Sequence, residues 1–264
     1  MMMLEVKDLR IRFHDRIGGE AVHGVSFSME AGERLGIVGE SGAGKTLTAL
    51  AVAGLISKDK ATVSGQIHFM GKDLLHSSEA EMRDIRGKDI GFIFQDPVAS
   101  LNPLMRIAPQ IEEPLLLHTH MDKKERREAA LQAIRDVDLP EPDVTAQKFP
   151  HQLSGGQCQR VMIASALICH PALLIADEPT TALDVTVQTQ ILHLLKRKNQ
   201  NENVGILYIS HDLSLVRRLC TRVIVMYNGD IVETGDVEQV FTHPREEYTQ
   251  RLIAAIPTRN KRYV

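Results

Sequence analysis

The stretch "GESGAGKT", Gly39 to Thr46, fits G-x-x-x-x-G-K-[ST] and constrains the chain more than any other. Glycines let successive backbone N–H groups curl around phosphate oxygens. Lys45 supplies a point charge for β- and γ-phosphates, and the Thr46 hydroxyl suits Mg²⁺. Gly39, Glu40, Ser41, Gly42, Ala43, Gly44, Lys45 and Thr46 are therefore the candidate nucleotide cradle. The run "RLGIVG" reads as a short apolar strand entering the loop. "KTLTALAVAGLI" reads as a helix leaving it and stopping near Gly54. A chance Gly-rich turn lacks that strand–loop–helix setting.

The rest of the chain agrees with an α/β protein. "LEVKDLRIRF" and "VHGVSFSM" read as strands joined by a turn at Gly18-Gly19, and "TVSGQIHF" and "DIGFIF" as further strands. From about Pro97 the texture turns helical. "DKKERREAALQAIRDVDL" has an apolar face through Ala130, Ile134 and Val137. Helix 156–169, strand "ALLIAD", helix 185–198, strand "VGILYIS", a short helix after His211 and strand "RVIVMYNG" follow. This alternation predicts a mostly parallel core sheet with helices on its faces, an antiparallel β part and an inserted helical subdomain. The expected division is one domain over 1–264: a core lobe at about 1–95 and 159–235, a helical subdomain at about 96–158 and a tail at about 236–264. The tail "PTRNKRYV" is basic and expected to fray.

Composition excludes several classes. The 34 acidic residues outnumber 31 Lys and Arg, for a net charge of −3, which offers no basic face for nucleic acid. The 3 cysteines are unclustered, so neither a disulfide framework nor a zinc site is expected. Cys158 reads as a residue on a helix surface. "MMMLEVKDLR" does not resemble a signal peptide, and "ASALICHPALLIA", broken by His170 and Pro171, is too short to span a bilayer. Work at a membrane would need another chain as anchor.

"ALLIADE" is an apolar strand ending in two acids. Asp177 suits the Mg²⁺ shell, and Glu178 suits a general base for an attacking water. Gln95, after "GFIF", can serve both Mg²⁺ and that water. His211, after "ILYIS", can meet the γ-phosphate, and Asp184 can organise the Glu178 region. Each stands at or beyond the C-terminal end of a strand, the edge where open α/β sheets bind ligands.

"LSGGQ" presents Ser154, Gly155, Gly156 and Gln157 at a second helix N-terminus. Lys45 and its glycines already occupy one side of the phosphates. A second cradle is useful from the opposite side, and a partner molecule placed head to tail is the simplest source. ATP would then close the pair and hydrolysis would open it.

"GESGAGKT", "LSGGQ", "LLIADEP", "ALD" and the His of "ISHD" stand in the order found in the nucleotide-binding subunits of ATP-binding cassette transporters, which the chain resembles over essentially its whole length. The resemblance implies that Lys45, Thr46, Gln95, Asp177, Glu178 and His211 serve ATP, Mg²⁺ and water. It implies that Ser154 and Gly156 serve the partner's nucleotide. It also suggests an aromatic stacked on adenine, for which Phe13 is the nearest candidate. "FQDPVASLNPLMRI", "FPHQLSGG", "DEPTTALDVTVQTQIL" and "HPREEYTQRLIAAIP" resemble the subfamily that energises oligopeptide, dipeptide and nickel uptake.

That resemblance implies an importer motor on the cytoplasmic face of a bacterial inner membrane. Its partners would be a second cassette ATPase, two transmembrane permease subunits and an extracytoplasmic solute-binding protein. The ATPase pair would be a heterodimer, with a homodimer as the alternative. A soluble, non-transport cassette ATPase is the rival reading. In two places the sequence departs from the subfamily. Glu247 stands before Tyr248 where the group has Pro, and the Cys-rich stretch of longer peptide-importer ATPases is not present. These weaken the oligopeptide reading and leave nickel, metallophore or small-peptide cargo open.

Overall fold

The computed structural model describes residues 2–15, 19–181 and 183–256. The Gly18 side of the expected turn, Ala182 of the "ALD" motif and the tail "PTRNKRYV" lie outside the described residues. The chain divides into two compact units, Met1–His76 with Leu207–Val264, and Ser77–Ile206.

The first unit begins with β1 (Met2–Phe13), β2 (Glu20–Glu30), β3 (Arg34–Val38), α1 (Lys45–Val52), β4 (Ala61–Phe69) and β5 (Lys72–Asp73). An antiparallel sheet runs β2-β1-β4-β5. Strand β1 buries Leu4 and Val6, then Leu9 and Ile11. That break in strict alternation is a β-bulge: Asp8 takes φ 47, and the register shifts between Val6 and Leu9.

The second unit holds α2 (Glu79–Ile85), β6 (Ile90–Ile93), α3 (Pro97–Ser100), α4 (Ile107–His118), α5 (Lys123–Asp136), α6 (Pro142–Thr145), α7 (Gly155–Leu167), β7 (Leu173–Asp177) and α8 (Val185–Glu202). Strands β6 and β7 are parallel, with Ile90 opposite Leu173 and Ile93 opposite Ala176. All of β7 is buried, as a continuous apolar run in a parallel sheet requires. Helix α5 starts at a reciprocal cap between Asp122 and Glu125, worth about 1 kcal/mol. It buries Ala130 and Ile134, with Val137 just beyond, as the sequence pattern predicts.

Strand β8 (Gly205–Ser210) spans the boundary, and the chain returns to the first unit through α9 (Leu213–Leu219), β9 (Arg222–Tyr227), β10 (Asp230–Asp236), α10 (Val237–Thr242) and α11 (Glu247–Ala254). Strands β3 and β9 are parallel, and β10 is antiparallel to β9. Leu35, Ile37, Val38 and Val223–Met226 form the buried layer beneath the loop that follows β3. The α/β class is thus the one the sequence predicts. No helix among the described residues is long and apolar enough to cross a membrane.

Candidate functional site

The phosphate loop lies in the first unit. Strand β3 delivers Gly39, where a Cβ would come within 2.2 Å of the Met226 carbonyl oxygen of β9, so only glycine lets the loop leave there. Gly44, at φ 98, is the N-cap of α1. Lys45 is buried, at 5% exposure, and its Nζ donates to Gly39 O at 2.9 Å and Glu40 O at 2.8 Å. These bonds fold the side chain back over the loop instead of into solvent. Ser41, Gly42 and Thr46 are exposed on the outer side of the same turn.

The loop is braced from two directions. Gly229, in the β9–β10 turn, donates to Ala43 O at 3.2 Å, and the His23 backbone donates to Gly229 O at 3.0 Å. The His23 ring meets Asp230 at 3.1 Å. Its bond to Asp230, with a second to the Glu20 carbonyl, raises the imidazole above the ordinary histidine range. On the other flank Tyr248 Oη accepts the Glu40 N–H at 3.0 Å. Phe13 is half-buried at the end of β1, and His211 is exposed just beyond β8.

The acids lie in the second unit. Asp177 is the buried last residue of β7, at 4% exposure. Glu178 then turns with φ 46, a left-handed conformation that costs an L-residue on the order of 1 kcal/mol. The turn brings its carboxylate alongside Gln95, whose Nε2 donates to Glu178 Oε2 at 3.1 Å. Thr181 Oγ1 donates to the same oxygen at 2.9 Å. Asp184 caps α8 by accepting from Val187 N at 2.9 Å, and Gln188, one turn on, donates to Thr180 O at 3.1 Å. The Glu178 turn is therefore tied to the start of α8.

Ser154 is the N-cap of α7. Its Oγ accepts from Gln157 N at 3.3 Å while Gln157 Oε1 accepts from Ser154 N at 2.9 Å. The two side chains thus have a local duty in starting the helix. A Cβ at Gly156 would meet Val187 Cγ1 at 3.0 Å, but one at Gly155 meets nothing within 4 Å. The close approach of Val187, on α8, explains a glycine at 156, and among the described residues nothing crowds position 155.

One expectation is corrected. Cys158 is not on the helix surface: it is buried, at 1% exposure, with Sγ 3.5 Å from Pro150 O. Residue 158 faces the 3₁₀ turn Pro150–Gln152, on the inner side of α7. Burial pushes its thiol pKa up, away from the reactive thiolate. Sequence reasoning missed Thr181 and Tyr248. Thr181 had a signal in its place three residues after Glu178, but Tyr248 had none, because its partner lies 208 residues away.

Similarity to known proteins agrees with this geometry. The family described as ABC transporter matches residues 22–181. The oligopeptide transport ATP-binding protein OppD of Bacillus subtilis (strain 168) is 49% identical over 97% of this chain and 72% of its own length. The dipeptide transport ATP-binding protein DppD of Escherichia coli (strain K12) is 46% identical over 97% of this chain and 79% of its own. Among solved structures, the dimeric post-hydrolysis state of the ATP-binding cassette MJ0796 bound to ADP and Pi superposes with a TM-score of 0.80. It is 30% identical and covers 89% of this chain and 99% of that one.

Proposed function

The chain belongs to the ABC transporter family, and from that premise we propose that it is the ATP-hydrolysing motor subunit of an importer whose cargo is peptides. The observation that carries the reading is the Glu178 carboxylate, turned out of β7 and oriented by two neutral donors, Gln95 and Thr181. That is the setting of a general base for water. The names of the relatives, which include a glutathione import ATP-binding protein, favour peptides over nickel or another metal chelate.

In this reading the Gly39–Thr46 loop and Lys45 hold the phosphates. Phe13 stacks on the adenine, and His211 meets the γ-phosphate. The Thr46 hydroxyl, the Asp177 carboxylate and the Gln95 amide oxygen are hard donors that suit Mg²⁺, which would neutralise charge on the phosphates. Ser154, Gly155, Gly156 and Gln157 face the nucleotide of a second cassette ATPase. The open space at Gly155 supports that, as do dimeric cassettes among the structural relatives. Asp184 starts α8 and so fixes the Glu178 turn.

The segment at about 96–158 serves as a helical subdomain that meets a membrane chain. Val98, Leu104, Leu116 and Leu117 are exposed apolar residues there, with Leu104 at 86%. The remaining partners are two permease subunits and an extracytoplasmic solute-binding protein, which places the chain peripherally on the cytoplasmic face of the inner membrane.

The test is a tagged pull-down from detergent-solubilised native membranes, with the co-purifying chains identified. Two membrane chains and a second cassette ATPase are expected. Recovery of the chain without any membrane protein would overturn the importer reading.

A further inference from the structure

The peptide group joining Gly39 to Glu40 is one rigid plane, and it is gripped at both ends. Its carbonyl, Gly39 O, accepts from Lys45 Nζ at 2.9 Å, and its N–H donates to Tyr248 Oη at 3.0 Å. We propose that Tyr248 is a positioning residue of the phosphate cradle, holding this plane so that its carbonyl faces the Lys45 ammonium. The inference rests on the reading of Gly39–Thr46 as the nucleotide site.

The phenol is itself held in place. Tyr248 is 8% exposed, and its ring lies against that of Tyr227, the last residue of β9, with centroids 4.2 Å apart. Burial raises its pKa, so the hydroxyl stays neutral. Glu233 of β10 accepts the N–H groups of Arg245 and Glu246 at 2.9 and 3.2 Å, and these residues lead directly into α11, which carries Tyr248. Gln250 closes the same entry by donating to Pro244 O at 3.2 Å. A strand carboxylate thus fixes the entry to the helix that carries Tyr248, and the Tyr248 hydroxyl meets one amide of the loop.

If the hydroxyl is lost, the peptide plane is restrained from the Lys45 side alone. Its carbonyl can then rotate away, and the ammonium keeps only Glu40 O from this pair of tethers. Lys45 would be less well placed for the phosphates in both ground and transition states. Uniform loss of that kind appears in KM and spares kcat.

The experiment compares ATP turnover by the full chain with that of Tyr248→Phe, which keeps the ring and removes only the hydroxyl. A rise in the KM for ATP of roughly three- to tenfold is expected, with kcat within about twofold, the size of one net hydrogen bond. The melting temperature without nucleotide should fall by no more than a few degrees, as the loss of one net hydrogen bond implies. Should Tyr248→Phe fail to fold, Glu233→Ala carries the test, since it loosens the entry to α11 and leaves the phenol in place. A raised KM there supports the proposal. An unchanged KM in the variant that folds, or a fall in kcat alone, overturns it. Absence of saturable ATP turnover in the unaltered chain would remove the nucleotide-site reading instead.

Discussion

Gln95 Nε2 donates a 3.1 Å hydrogen bond to Glu178 Oε2. The parallel register explains how they meet. Ile93 lies opposite Ala176, and each functional residue stands two positions beyond its partner in that pair. The chain leaves β6 and β7 side by side, and the left-handed turn at Glu178 aims its carboxylate sideways at Gln95. Thr181 Oγ1 donates to the same oxygen.

Gln95→Ala leaves Glu178 oriented by Thr181 alone within this pair of donors. ATP turnover is expected to fall about tenfold, the effect of one lost orienting bond in the transition state, while the affinity for ATP without Mg²⁺ stays unchanged. Steady-state kinetics beside an equilibrium ATP titration check this. Unchanged turnover would show that the bond does not matter to the reaction.

The two glycines of "LSGGQ" should separate by readout. Gly156→Ala drives a Cβ to 3.0 Å from Val187 Cγ1 and should cost about 1 kcal/mol, seen as a lower melting temperature. Gly155→Ala meets nothing within 4 Å and should leave the melting temperature alone. It should instead lower turnover and ATP-dependent dimerisation, because its added methyl stands where a second molecule's nucleotide would approach. Size-exclusion chromatography with ATP would measure the dimer.

The His23–Asp230 pair makes a pH prediction. The bond to Asp230 raises the folded-state pKa of His23 above its unfolded value of about 6.5. The stabilisation is therefore fully present below that value and lost as the pH rises through the raised pKa. Melting temperatures should favour the unaltered chain over His23→Gln at about pH 6, with the gap closing towards about pH 9. A gap that widens with pH would reverse the sign and refute the pairing.

Local pattern carried the loop, the acids and most elements. "GESGAGKT" between an apolar strand and a helix is legible because each requirement is a neighbour in sequence. Helix α5 is legible because Asp122 and Glu125 cap it and Ala130 and Ile134 keep helical spacing. Cys158 was misread because helical spacing alone does not say which face the turn at Pro150–Gln152 covers. Strand β10 carried no expectation, and α10 and α11 lie in the segment expected only as a tail. Their segment is short, charged and held by Glu233 and Tyr248 through contacts distant in sequence. The meeting of Gln95 and Glu178 needed the register of β6 on β7, which composition does not encode.

The most direct test of the account is Glu178→Gln. The amide keeps the shape and can still bond Gln95 and Thr181, but it cannot take a proton from water. ATP turnover should fall by about 100-fold or more, the scale of a lost general base, with ATP still bound at unaltered affinity. The loaded protein, with its partner present, should accumulate as a closed dimer. A variant that hydrolyses ATP at the unaltered rate would contradict Glu178 as the base and with it the chemistry assigned to this chain.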